Sequence, residues 1–360
     1  MMARSAPDRP GTSGHDRNKP WEKTVDLGPL ATTTVGSFPR PTWLADVNRS
    51  RAEFRLEGAA LAEAQDDAVV VILKEQEDAG LDIVTDGEQR RESFVWYLPA
   101  GWEGVDVEHQ AEKQVYRNRV APRLVPRITG KVRRRAPLMP PDVEFAKAHT
   151  DRPLKMAVPG PMTVIDSTLN EAYDDEAELA MDIAAALNAE LLDLQAAGCD
   201  VLQLDEPAMT RYHEKVADYG AEALDTALEG ITVPTIVHLC FGYPGGTSLQ
   251  HEYEYPGLLD NLMETRIGGF AVEFGRSTFD PAVLEACGDR IVMYGCIDPG
   301  AAPVPGVDAV KARVEEALEH LDPAQVWLAP DCGLMTIDRA LARDKIAVMV
   351  EAARQLRSAL

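Results

Sequence analysis

Four side chains with an affinity for soft or borderline metal ions stand at or just past the ends of short apolar runs. His238 and Cys240 belong to Thr235-Ile-Val-His-Leu-Cys240, Glu273 closes Phe270-Ala-Val-Glu273, and Cys332 follows Val326-Trp-Leu-Ala-Pro-Asp331. On a strand, residues two apart project from the same face, so His238 and Cys240 share one. Two sulfurs, one imidazole nitrogen and one carboxylate oxygen form a tetrahedral donor set that suits Zn2+. No Cys-x2-Cys pair is present, and from His238 to Cys332 the four residues span almost a hundred positions of the chain. Such ligands need a preformed scaffold, which points to a catalytic metal rather than a folding staple. Zinc on two thiolates, an imidazole and a carboxylate carries a formal charge of about −1 and polarises a carbonyl poorly. Such a centre is better suited to taking up a substrate thiol, normally protonated up to a pKa of about 8.5, and holding the sulfur as a nucleophile. Taken singly, each of the four could be an ordinary core or rim residue; together they describe a site. Cys199, Cys287 and Cys296 lack such partners and are read as packing residues.

Two carboxylates read as substrate contacts. Glu88 ends Val84-Thr-Asp-Gly-Glu88, and Asp205 ends Val201-Leu-Gln-Leu-Asp205. Acidic groups inside a concave site are costly unless they are paired or meet a cation, and a substrate ammonium would serve both. The competing reading pairs them with Arg90 or Arg91. The backbone amides of Val35, Gly36 and Ser37 are candidates to receive the carboxylate of the same amino acid, with Gly36 permitting the close approach.

These residues need elements to carry them. Short β-branched runs at 31–37, 82–87, 153–159, 200–205, 235–240, 269–274, 291–297 and 325–330 alternate with apolar stripes of helical spacing, as in Ala59–Ala79, Glu176–Ala197 and Arg339–Leu360. Alternating strands and helices imply parallel strands with right-handed crossovers. Eight such units predict an α/β fold, a (β/α)8 TIM barrel, with its site on the C-terminal rim. All the candidate residues fall on that rim, along with Asp298. Residues 1–25 read as a disordered tail, and 26–360 as one zinc-dependent barrel. An excursion at about 99–152 follows the second strand, with a β-hairpin around Val125–Val132 covering the barrel mouth.

Bulk properties bound the function. The 360 residues are 45% hydrophobic, no run approaches the ~20 apolar residues of a membrane span, and the polar N-terminus lacks a signal-peptide core. The chain is therefore expected to be cytoplasmic and to bind no membrane. Five cysteines, an odd number, fit thiols and metal ligands better than disulfides. A net charge of −23 argues against nucleic acid as a partner. Against that trend, Arg117, Arg119, Arg123, Arg127, Lys131, Arg133, Arg134 and Arg135 form an acid-free basic stretch. It reads either as a solvated hairpin or as a docking surface for an anionic donor tail.

Several segments together resemble the catalytic barrel of cobalamin-independent methionine synthase. They are Thr32-Thr-Thr-Val-Gly-Ser-Phe-Pro39, Gly87-Glu88, Gly160-Pro161-x-Thr163, Leu202-Gln-Leu-Asp-Glu-Pro-Ala208, His238-x-Cys240, Glu273-x-x-Arg-Ser277 and Pro330-Asp-Cys-Gly-Leu334. The resemblance implies that His238, Cys240, Glu273 and Cys332 bind zinc. It also implies that Glu88 and Asp205 contact the homocysteine amino group, and Val35–Ser37 its carboxylate side. Full-length members of that family carry a second, N-terminal barrel, which this chain is not expected to hold. Where the family has Asp-x-His after its seventh strand, this sequence keeps Asp298 and places Gly300 at the His position. Asp298 is then the remaining candidate proton donor. The leading expectation is methyl transfer to homocysteine from a folate or methylcobalamin donor, with a helper protein for the donor as an open partner. The alternative is the epoxyalkane:coenzyme M transferase type, in which a zinc-bound thiolate opens an epoxide; Arg90, Arg91 and Arg276 would suit its sulfonate. A zinc-dependent hydrolase or binding protein is the third class.

Overall fold

The structure is a computed structural model that describes residues 25, 27–46, 51–115, 122–241, 255–300 and 303–360. The expected tail, residues 1–25, lies almost wholly outside the described residues, as do Arg117 and Arg119. Strands β1 (Ala31–Thr32), β4 (Lys155–Pro159), β6 (Val201–Asp205), β7 (Thr235–Leu239), β8 (Gly269–Glu273), β9 (Ile291–Ile297) and β10 (Val326–Pro330) form one parallel sheet in the order β1-β10-β9-β8-β7-β6-β4. Helices α1 (Gly58–Ala79), α2 (Pro140–Lys147), α3 (Pro161–Asp166), α4 (Glu176–Ala196), α5 (His213–Lys215), α6 (Ala221–Ala227), α7 (Tyr255–Leu262), α8 (Val307–Leu318) and α9 (Arg339–Arg357) follow in alternation. No described helix is long and apolar enough to cross a membrane.

Two of the eight expected strands are shorter than the sequence implies. The first ends at Thr32, and the second is reduced to a single parallel bridge, Val84 to Leu154. Side chains take the backbone groups that a regular ladder would use. Gln76 bonds both the N–H and the C=O of Thr85, at 3.0 and 2.8 Å, and the Asp82 carboxylate accepts from the Thr32 amide at 2.8 Å. The segment still closes the barrel. Asp82 and Ile83 amides donate to Thr32 O, the Val84 amide donates to Pro153 O, and the Lys155 amide donates to Val84 O at 2.8 Å.

The alternation of each strand sorts its residues into two environments. Outward-facing Leu202, Leu204, Val237, Leu239, Phe270 and Val272 join the large core between sheet and helices. Inward-facing Ala31, Ile83, Val201, Ile236, Ala271, Met293 and Trp327 form a separate apolar floor inside the barrel. One step further along the same inward faces, the side chains become polar: Lys155 on β4 and Gln203 on β6 are fully buried. A further step reaches the C-terminal rim.

The excursion contains the expected hairpin, longer than the sequence suggests. Strands β2 (Trp102–Lys113) and β3 (Arg123–Arg134) pair antiparallel, and β3 continues to β5 (Leu169–Asn170). The hairpin packs against the segment that follows β4 and α3, where Lys113 donates to the Ile165 and Thr168 carbonyls, and along α4, and acidic groups of both partner its basic residues. Lys131 pairs with Asp182, Arg127 with Glu171, and Arg134 with Asp193 and the fully buried Glu190. Glu190 also accepts from the Leu138 and Met139 amides at 3.0 and 2.7 Å. Much of the described basic stretch is thus engaged within the chain. Replacing Glu190 with Ala leaves the partly buried Arg134 guanidinium with Asp193 alone and strands two amides. We expect a loss of about 3 kcal/mol of unfolding free energy in urea titrations.

Candidate metal centre

The ends of β7 and β10 bring three of the four predicted ligands together. One donor atom each from His238, Cys240 and Cys332 lies within 4.8 Å of the others. The two sulfurs are 3.9 Å apart, and neither cysteine is in a disulfide. His238 pairs in register with Asp205 across β7 and β6, and its Nδ1 meets Asp205 Oδ1 at 3.0 Å. Its Nε2 is 3.4 Å from the carbonyl oxygen of Asp331, the residue before Cys332. Burial works against charge on this imidazole, but Cys240 and Asp205 outweigh it and lift the pKa to about 10. Glu273 lies outside the three-ligand cluster but close beside it. Its Oε2 is 3.5 Å from the Phe241 amide, and burial, then Asp331 and Cys240, hold its pKa well above the usual carboxylate range.

Each of these residues is anchored by a neighbour that the sequence pattern does not single out. Asp331 Oδ1 accepts the amides of Phe274 and Gly275 at 3.2 and 2.7 Å, fixing the end of β8 against that of β10. A Cβ at Gly275 or Gly295 would come within 2.7 or 2.5 Å of that oxygen, so only glycine leaves room. The Tyr255 hydroxyl donates to Leu239 O at 2.9 Å and accepts the Glu273 amide at 3.0 Å, bridging β7 and β8 beside Cys240. Thr210 Oγ1 donates to the Cys240 carbonyl at 3.2 Å. Glu206 caps the start of α3: its carboxylate accepts the amides of Met162 and Thr163, both at 2.9 Å, and Thr163 Oγ1 at 2.8 Å. Burial pushes Glu206 up to about 8 against those three donors.

Glu88 lies in the turn just past the reduced second strand. Its backbone is left-handed, with φ of 56°, a conformation that costs a residue bearing a Cβ roughly 1–2 kcal/mol. Surrounding bonds impose it: the Glu88 amide donates to Asp86 Oδ1 at 3.0 Å, and Arg40 donates to the carbonyls of Glu88 and Arg91 at 3.3 and 2.6 Å. The carboxylate is buried, its Oε2 has no hydrogen-bond partner among the described residues, and a guanidinium nitrogen of Arg91 is 3.9 Å from Oε1. Burial is the main cause that lifts its pKa to about 7; Arg91 opposes the shift, while Asp205 and Asp86 add to it. Arg90 takes no part, being paired with Asp66 and Asp142.

The Val35–Ser37 segment faces Glu88 directly, since a Cβ on Gly36 would approach Glu88 Oε1 to 2.8 Å. Lys155 donates to Val35 O at 2.7 Å, and Thr85 Oγ1 donates to Gly36 O at 2.8 Å. Asp298, just past β9, is half-buried. Its Oδ1 accepts the Gly300 amide at 2.7 Å, and Arg276 Nε is 4.0 Å from Oδ2. Lys155 and Gln203 are the main site residues that the sequence pattern leaves unflagged. A lysine inside a run otherwise fit for a buried strand, Leu154-Lys-Met-Ala-Val-Pro159, is the one signal that points to them.

An acid whose pKa rises on folding destabilises the fold once the unfolded chain would ionise. For Glu88 that cost grows from about pH 4.5 and levels off above pH 7. Glu88→Gln should therefore leave stability unchanged near pH 4 and raise it at pH 8, by up to roughly 3 kcal/mol. Thermal unfolding at the two pH values measures the difference.

Comparison with known proteins agrees with this geometry. Residues 30–355 match the family described as cobalamin-independent synthase, catalytic domain. The chain is 30% identical over 326 residues to a methionine synthase of Sulfolobus acidocaldarius, covering 89% of this chain and 91% of that one. It is 31% identical over 341 residues to the methionine synthase of Sulfurisphaera tokodaii, covering 93% and 95%. Among solved structures, a B12-independent methionine synthase from Shewanella sp. W3-18-1, in complex with selenomethionine, superposes with a TM-score of 0.87 at 31% identity, covering 92% of this chain and 98% of that one. With barrel, rim and sequence in accord along nearly its whole length, the chain belongs to the cobalamin-independent methionine synthase family, as a member of the catalytic-domain type.

Proposed function

We propose that this protein transfers a methyl group to the thiol of homocysteine, giving methionine, at a zinc site made by His238, Cys240 and Cys332 with Glu273 as an exchangeable fourth ligand. The observation that carries the reading is the 3.9 Å spacing of the two sulfurs beside a buried imidazole. Two thiolates at ~2.3 Å from one tetrahedral ion would stand about 3.8 Å apart, so the donor set fits zinc without rearrangement. Glu273, buried beside the cluster and short of it, suits a ligand that gives way to an incoming sulfur. Bound zinc would supply the means to hold the substrate sulfur as an electron-rich thiolate.

The chain's own residues orient the substrate. Glu88 and Asp205 bracket the space for an ammonium, and the Val35–Ser37 segment offers backbone N–H groups to the carboxylate. The thiol gives up its proton, a C–S bond forms as the donor–methyl bond breaks, and the donor departs with the bonding pair. A departing nitrogen base would also take up a proton, and Asp298 is the acid we assign to it. Selenomethionine, bound by the Shewanella relative, is methionine with selenium in place of sulfur and so has the shape of the proposed product. Arg90 and Arg91 are engaged with Asp66, Asp142 and Asp86, which favours an amino-acid thiol over a sulfonate.

Cys240→Ser and Cys332→Ser should each abolish zinc retention and methyl transfer while the far-ultraviolet circular dichroism stays that of a barrel. Unfolding on chelation would instead mark a structural metal. Homocysteine binding should release a proton, visible as a dependence of calorimetric heat on buffer ionisation enthalpy; buffer-independent heat rules out thiolate uptake. Glu88→Gln should weaken homocysteine binding by about 10- to 150-fold at unchanged zinc content, the value of one charge-assisted hydrogen bond.

A further inference from the structure

Lys155 lies midway between the apolar floor of the barrel and the rim, and none of its surface is exposed. Its Nζ donates to Val35 O at 2.7 Å and to the side-chain oxygen of Gln203. Gln203 Nε2 in turn donates to Asp205 Oδ1 at 2.7 Å, and the same oxygen meets His238 Nδ1 at 3.0 Å. A continuous chain of hydrogen bonds thus runs from the substrate-facing loop, across β4 and β6, to a metal-type ligand on β7.

The polarity of this chain is fixed at its lysine end. An ammonium only donates, and even an uncharged amine has two N–H groups for the two carbonyl oxygens it faces. The Gln203 oxygen must therefore point to Lys155 and its NH2 to Asp205. The flipped amide would set N–H against N–H at one end and oxygen against carboxylate at the other. Asp205 then acts as acceptor throughout, so His238 keeps a proton on Nδ1, and Nε2 is the nitrogen that gives up its proton to ligate. The Asp331 carbonyl, 3.4 Å from Nε2, is too distant to reverse that assignment. Asp205 and Glu88 offset the burial of Lys155, which alone would depress its pKa further than the resulting value of about 7.

We infer that Lys155 is a positioning residue which sets, through Gln203 and Asp205, the tautomer of His238, and which ties that ligand to the Val35–Ser37 loop. The inference rests on the metal reading proposed above. It assigns to one buried cation the joint alignment of the metal site and the amino-acid site.

Two variants test it. Lys155→Met keeps length and removes the donors, whereas Gln203→Glu keeps an acceptor for Lys155 and removes the donor to Asp205. Zinc affinity is read by competition with a chelator, the His238 tautomer by nitrogen-15 chemical shifts of the zinc-loaded protein, and the fold by circular dichroism. Both variants should fold and lose about 10- to 100-fold in zinc affinity, the usual effect of disturbing a ligand's hydrogen-bond partner. Both should also show a mixed tautomer. Lys155→Met should raise the homocysteine KM more than Gln203→Glu does, because only it releases Val35. Wild-type affinity with a single Nδ1–H tautomer in either folded variant overturns the inference. Should Lys155→Met fail to fold, Gln203→Glu decides alone. A wild-type protein that retains no zinc overturns the metal reading as well, so the two failures are distinct.

Discussion

A closed barrel offers its interior only alternate residues of each strand, and whatever polar chemistry it contains must be satisfied from within. That constraint orders this molecule from floor to rim. Val201, Gln203 and Asp205 climb one face of β6, and Ile236 and His238 climb one face of β7 with Cys240 just beyond. Each step upward exchanges dispersion for hydrogen bonding. Water cannot rescue an unmatched group at this depth, so Lys155 is held by two carbonyl oxygens and Asp205 by an amide and an imidazole.

The same requirement governs the rim. Asp331 and Tyr255 commit polar atoms to backbone groups beside the candidate ligands Glu273 and Cys240, and Glu206, next to Asp205, commits its carboxylate to the start of α3. A site assembled from β7, β8 and β10 therefore behaves as one body. This matters for thiol chemistry, where ligand spacing has to hold before any ion arrives. Glu88 stands apart by its strained backbone, and its Oε2, like the neighbouring Asp86 Oδ2, has no hydrogen-bond partner among the described residues. Backbone strain and a buried, unpaired oxygen in one residue mark it as a candidate functional group.

Much of this is legible from the residues. The period-two spacing of His238 and Cys240, and the polar ends of the apolar runs, are enough to locate the rim. Strand two is shorter than its residues suggest, because Gln76 and Asp82 act on its backbone from helix and loop positions that no local pattern reveals. The basic hairpin has the look of a docking surface in the sequence because the partners of its charges, Glu190, Asp182 and Asp193, belong to a helix far along the chain. Position alone marks Asp205 as a substrate contact; its bond to His238 emerges only when β6 and β7 pair in register. Lys155 leaves a mark, a charge within an apolar run, but its use depends on three strands meeting.

The reduced second strand has a consequence for how the molecule comes apart. Every other seam of the sheet is a backbone ladder, whereas the seam between β1 and β4 is closed by a two-residue strand, one bridge and a handful of side chains. It is the line along which the barrel should breathe first, and amide hydrogens around residues 82–85 should exchange with solvent sooner than those of β6 to β9. The Val35–Ser37 segment and Glu88 both border that line, and the Leu334 amide ties the segment after Cys332 to Ser37 O at 2.9 Å, while Cys240 lies on the rigid arc opposite. An amino acid bridging the two would act as a clasp, so the flexibility that admits it and the order it imposes reside in the same edge of the fold.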